Sequence, residues 1–171
     1  MSEKTKRRET GQPYHRPDFA DDLDATLRHA WACLTRGVKD RRSPFHTPSI
    51  ATLGLDGRPR MRTVVLRAVD PATKRFRFHT DIRGLKVAEI QRDPRVALMF
   101  LIPGSNSVMR VNGRAVVSVD PGLLESFDMD GKHPRSVVVV TIDEVYFQCA
   151  RAVMRAELWN PDRRIDAADL P

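Results

Sequence analysis

A succession of short β-type runs, separated by tight-turn signals, constrains this chain more than any other feature. Asp56-Gly57 stands between a strand-like run at residues 50–55 and a longer one at 58–69. That dipeptide is the strongest short hairpin signal, because a two-residue primed turn needs positive φ and these residues accept it. Asp70-Pro71-Ala72-Thr73-Lys74 turns the chain again. Arg75-Phe76-Arg77-Phe78-His79-Thr80 then alternates strictly, with Phe76 and Phe78 on one face. Three antiparallel strands in chain order are the expectation.

The pattern continues to the other end. Leu85, Ala88, Glu89 and Ile90 predict a short helix at about 84–93, which Pro94 stops by denying it a donor. Residues 95–102 read as a buried fourth strand, 108–119 as a long fifth, 121–127 as a helical turn, 135–148 as a sixth strand and 149–159 as a closing helix. Ahead of the strands, residues 18–36 carry acids in the first turn and Leu23, Leu27, Ala30, Trp31 and Leu34 at helical spacing. Six strands in a meander, helices at the ends and one helix inserted, predict a mainly β fold, a closed or nearly closed antiparallel barrel.

The 171 residues suit one domain, expected at about 18–160 between a basic flexible arm at 1–17 and a tail at 161–171. With 41% hydrophobic and 30% charged residues the composition is that of an ordinary globular protein. No apolar run approaches the ~18 residues of a membrane helix, and the charged N-terminus lacks the apolar segment of a secretory leader. The expected compartment is therefore the cytoplasm, with no membrane partner. Cys33 and Cys149 stand in no ligand spacing and read as small apolar side chains. The net charge is +7, but residues 1–16 hold five basic and two acidic groups, so much of the surplus sits in the arm. A basic pI here does not predict a specific nucleic-acid partner.

Common catalytic signatures are absent: there is no GxSxG, HExxH, Walker loop or GxGxxG. The histidines are too scattered to predict a metal site, and no nucleophile and base can be paired by spacing, so the catalytic residues are unknown. What stands out is Arg62, Arg67, Thr80 and Lys86, with His79 beside Thr80. Guanidinium forks, a hydroxyl and an ammonium on neighbouring elements are what a phosphate monoester needs away from water. Strand arginines that are solvated or paired with acids are the competing reading. Arg62 and Arg67, five apart, leave opposite faces of an ideal strand, which a bulge or a ligand lying across the strand end would reconcile. Val64, Val65 and Leu66 offer apolar side chains and backbone donors along which a flat ring could lie.

RTVVLRAVDPATKRFRFHTDIRGLKVAEIQRDPRVALMF, residues 62–100, resembles the cofactor-binding core of the pyridoxamine 5'-phosphate oxidase-like flavoproteins, the FMN-binding split barrels. The shared order is an arginine, apolar residues and a basic residue (Arg62, Val64 to Leu66, Arg67), then His79-Thr80, Lys86 and Asp93-Pro94-Arg95-Val96-Ala97-Leu98. The resemblance extends more weakly over about residues 45–119. It implies a six-stranded antiparallel split β-barrel, a homodimer, and non-covalent FMN. Arg62 and Lys86 would hold its phosphate with Thr80, Val64, Val65 and Leu66 would lie along the ring, and Arg67 would place positive charge at the ring's polar edge.

The departures from the family are also informative. His79 stands where an aromatic is usual, Leu85 where the true oxidases have arginine, and Val108 where they have glutamine. The ending VYFQCARAVMRAELWNP lacks the arginine and histidine that hold pyridoxal phosphate in those enzymes, and resembles an uncharacterised subgroup. The resemblance thus implies an FMN-dependent oxidoreductase moving a hydride between a reduced donor and a small organic acceptor, not a pyridoxamine phosphate oxidase. A non-catalytic flavin or phosphorylated-ligand sensor is the alternative.

Overall fold

The computed structural model describes residues 18–102, 107–127, 132–157, 160–163, 165, 166 and 168; the basic arm at 1–17 and Trp159 lie outside them. α1 (Leu23–Lys39) begins where the Asp22 carboxylate accepts the Ala25 N–H at 3.0 Å. Its apolar stripe buries Ala30 and Leu34, but Leu23 is 89% exposed, so the start of the stripe projects past the core. A short turn at Pro44–His46 leads into the sheet, capped by Ser43 and tied to α1 by a 2.7 Å contact between His46 Nδ1 and the Gly37 carbonyl.

The strands are β1 (Ser49–Leu53), β2 (Pro59–Thr63), β3 (Leu66–Asp70), β4 (Arg75–Thr80), β5 (Arg95–Leu101), β6 (Ser107–Ser118) and β7 (Ser136–Cys149). α2 (Leu85–Arg92) lies between β4 and β5, α3 (Pro121–Glu125) between β6 and β7, and α4 (Arg151–Ala156) follows β7. The first hairpin falls where expected, but through five residues, 54–58, rather than a two-residue turn; of these Gly57 has φ +80°, which glycine adopts without strain.

All seven strands form one antiparallel sheet in the order β2-β1-β5-β6-β7-β4-β3. Its two edge strands, β2 and β3, are joined in the chain by Val64 and Val65 alone. From Thr63 to Leu66 the chain can reach only about 10 Å, so the sheet has to curl until its edges nearly meet. The result is a barrel with a split between β2 and β3.

That geometry corrects the expected count of six strands. The run 58–69 is two strands, because its first half pairs with β1 and its second with β4, at opposite edges of the sheet. Between them the chain crosses the split, where the Val64 N–H donates to the Pro48 carbonyl at 2.9 Å. The closing helix is also shorter than 149–159, since β7 continues to Cys149.

Inside the barrel, Ile50, Leu66, Phe76, Phe78, Leu98, Phe100, Met109, Val111, Val138 and Val140 make one core with Ala30 and Leu34 of α1. Opposite Asn112 and Gly113, Asp143 is the extra residue of a bulge in β7. A Cβ at Gly113 would fall well inside 3.0 Å of the Thr141 carbonyl oxygen, so this crossing requires glycine. Among the described residues, no helix is long and apolar enough to cross a membrane.

Candidate functional site

α2 organises the cationic cluster. Alternation along β2 turns Arg60 and Arg62 to the same side, towards the helix. There the Arg62 Nη2 donates to Glu89 Oε2 at 2.8 Å, and Arg60 Nε lies 3.6 Å from Glu89 Oε1. Lys86 stands three residues before Glu89, hence on the same helix face one turn towards the N-terminus. Its Nζ donates to Thr80 Oγ1 at 2.9 Å. Lys86 and Thr80 thus meet near the start of α2, and Arg62 is held one turn further along the helix by Glu89.

That end is built to receive negative charge. Gly84 caps α2 with no side-chain hydrogen bond, and while the Val87 N–H bonds back to the Gly84 carbonyl, the Leu85 and Lys86 N–H groups keep donor capacity. Space above Gly84 is edged by the Asp81 carbonyl, Lys86 Nζ and Thr80 Oγ1, 3.1, 3.5 and 3.9 Å from where a Cβ would stand. Asp81, next to Thr80, does not compete for the cations: Arg83 grips it through Nε at 3.0 Å and Nη2 at 2.7 Å. Those hydrogen bonds hold its carboxyl far below the usual carboxylate range.

Arg67 occupies a different place. The β3–β4 register slips between Leu66 and Ala68, so Arg67 is the bulged residue. With the break at 64–65, this bulge removes the strict alternation that an unbroken strand would impose on Arg62 and Arg67. The Arg67 Nε and His79 Nε2 are both buried without a hydrogen-bond partner among the described residues. His79 packs edge-on against Phe127 with centroids 4.7 Å apart. Burial first, and then the Arg67 charge, hold its pKa below the ordinary histidine value. His79 and Thr80 point to opposite faces of β4 as successive strand residues.

The three apolar residues separate as well. Val64 is 8% exposed and Leu66 1%, both within the core, and the Val64 N–H is given to the Pro48 carbonyl. Val65 is half-buried. Two residues that sequence reasoning passed over are central to the cluster: Glu89, fully buried, and Thr52, which donates to Glu89 Oε2 at 2.6 Å and accepts from Arg62 Nη1. The signal for Glu89 was its place three residues from Lys86 on an amphipathic helix, on the side of the buried Val87 and Ile90.

The donors present fit a phosphate monoester: two arginines, a lysine, a hydroxyl and an open helix start, the arginines being already engaged by the Glu89 and Asp56 carboxylates. They equally fit other small dianions.

A family model described as pyridoxamine 5'-phosphate oxidase matches residues 34–149. Among curated proteins, the chain is 35% identical over 90 residues to pyridoxine/pyridoxamine 5'-phosphate oxidase 2 of Arabidopsis thaliana, covering 51% of this chain and 46% of that one. It is 42% identical over 66 residues to the pyridoxine/pyridoxamine 5'-phosphate oxidase of Rubrobacter xylanophilus, covering 39% of this chain and 30% of the relative. The chain therefore spans less than half the length of these relatives. Among solved structures, a pyridoxamine 5'-phosphate oxidase-related, FMN binding protein from Nostoc punctiforme superposes with a TM-score of 0.59 at 19% identity, over 73% of this chain and 85% of that one. A protein related to general stress protein 26 from Clostridium acetobutylicum gives 0.58 at 12% identity, over 72% and 88%. These two likenesses show the fold, and the match over residues 34–149 shows that the chain belongs to the pyridoxamine 5'-phosphate oxidase family.

Proposed function

We propose that this protein binds FMN non-covalently and serves as an oxidoreductase that passes a hydride from a reduced donor to a small organic acceptor. The observation that supports the reading is the placement of cationic and hydroxyl donors along α2, with Arg62 held by Glu89 and, one turn nearer the helix start, Lys86 beside Thr80. Arg62 and Lys86 would meet the phosphate charge, and Thr80 would add a hydroxyl. The backbone at Val64 to Leu66 would run beside the ring, with Arg67 and His79 turning their unpartnered nitrogens to its polar edge. When bound, the flavin supplies the hydride chemistry; the chain's own residues bind it, orient it and exclude water.

A second copy of the chain completes this reading. Strand register lines up Met61, Ala51, Ala97 and Asn112 across β2, β1, β5 and β6, and Met61 is 62% exposed. An open cavity of about 510 Å³ lies beside this row, with Ala51, Leu53, Pro59 and Ala97 on its floor and Arg95, Arg114 and Asp143 at its charged side. A row of small and apolar side chains bordered by charges of both signs suits self-association in a homodimer.

The test is fluorescence titration with FMN. Arg62→Ala and Lys86→Ala should each weaken binding by about 1.5 to 3 kcal/mol, the usual loss for a hydrogen bond to a charged group. Full affinity in both variants would remove the phosphate assignment. Oxidation of a reduced nicotinamide by the loaded protein, with acceptor present, separates an oxidoreductase from a flavin carrier without turnover.

A further inference from the structure

We infer that Glu89 and Thr52 are positioning residues that fix the guanidinium of Arg62 in the orientation that receives a phosphate. The inference rests on the FMN reading above and assigns roles to two residues outside its contact set.

Glu89 is the only acidic residue among the buried polar and charged side chains described, at 0% exposure. A carboxylate that deep is tolerated only when charged donors meet it. Its Oε2 takes hydrogen bonds from Arg62 Nη2 at 2.8 Å and Thr52 Oγ1 at 2.6 Å, while Arg60 Nε stands 3.6 Å from Oε1. Thr52 closes the arrangement by accepting from Arg62 Nη1. Two edges of the Arg62 fork are thereby occupied from below. The Arg62 Nε–H has no acceptor among the described residues, and its side chain remains 24% exposed.

A free arginine loses much rotamer freedom when it grips a ligand, whereas a guanidinium already clamped on one side has little left to lose. Arg60 is also held by Asp56, whose Oδ2 accepts from its Nη2 at 3.2 Å. Glu89 thus orients Arg62 through its two terminal nitrogens and the Thr52 hydroxyl, while Lys86, bound to Thr80, carries no carboxylate partner among the described residues.

The experiment compares FMN with riboflavin, which lacks the phosphate, in wild type, Thr52→Val, Thr52→Ser and Glu89→Asp. Thr52→Val removes the shared hydroxyl without changing charge. Glu89→Asp keeps the charge but draws it back by one methylene. Both should weaken FMN binding by on the order of tenfold and leave riboflavin binding within about twofold, while Thr52→Ser retains FMN affinity. In an Arg62→Ala background, Thr52→Val should add nothing further. Thr52→Val that binds FMN like wild type, or that loses FMN and riboflavin by the same factor, would overturn the inference. Wild type with no preference for FMN over riboflavin would instead remove the phosphate reading on which it stands. If Glu89→Asp does not fold, the Thr52 pair decides.

Discussion

His79 illustrates how one side chain links the site to pH. The unfolded chain binds a proton at histidine near pH 6.5, and burial beside Arg67 lowers that value in the folded state. Between the two values the unfolded chain holds more protons. The stability contribution is therefore intact above about pH 6.5 and is lost as pH falls through the depressed value. His79→Phe, which keeps a ring against Phe127, should flatten the fall in melting temperature between about pH 7 and pH 5. Loss at lower pH should remain, because Asp93, held at about 2 by hydrogen bonds from Arg95, titrates there. A variant whose pH profile superposes on wild type from pH 7 to pH 5 would contradict the assignment. At this scale the sequence was legible where residue type announces chemistry, as at Arg62, Thr80 and Lys86. Glu89 and Thr52 were not: a glutamate on an amphipathic helix reads as solvated, and its burial depends on partners 27 and 37 residues away.

Elements were read well where local chemistry decides them. The Asp56-Gly57 turn, the alternation of β4 and the stop of α2 before Pro94 all lie where the sequence predicts. The break at Val64-Val65 was hidden, since both residues favour strands and only the positions of β1 and β4 force the crossing. α1 shows the same limit. Its apolar stripe is real, but only tertiary packing tells which turns are covered. Leu34, 1% exposed, should cost about 2 to 5 kcal/mol when replaced by alanine. Leu23→Ala, at 89% exposure, should stay within about 0.5 kcal/mol of wild type. Urea unfolding of the two variants checks this, and equal losses would contradict the packing of α1 on the barrel.

For the molecule as a whole, closure of the sheet brings the edge strands together, so that the β2–β3 crossing, the end of β4 and the start of α2 surround one region. The barrel and its family were legible because several motifs occur in a fixed order; the proposed self-association surface was not, because it depends on register across four strands. Met61→Glu, placed at the exposed end of that row, should convert a dimer to a monomer by light scattering, with the fold retained by circular dichroism. A dimer of unchanged stability would move the interface elsewhere. The most direct test of the account is the visible spectrum of the protein after incubation with FMN and desalting. A flavin spectrum that survives desalting, and releases FMN on heating, is the predicted result. A colourless protein would contradict the claim that the cluster at α2 holds a flavin phosphate.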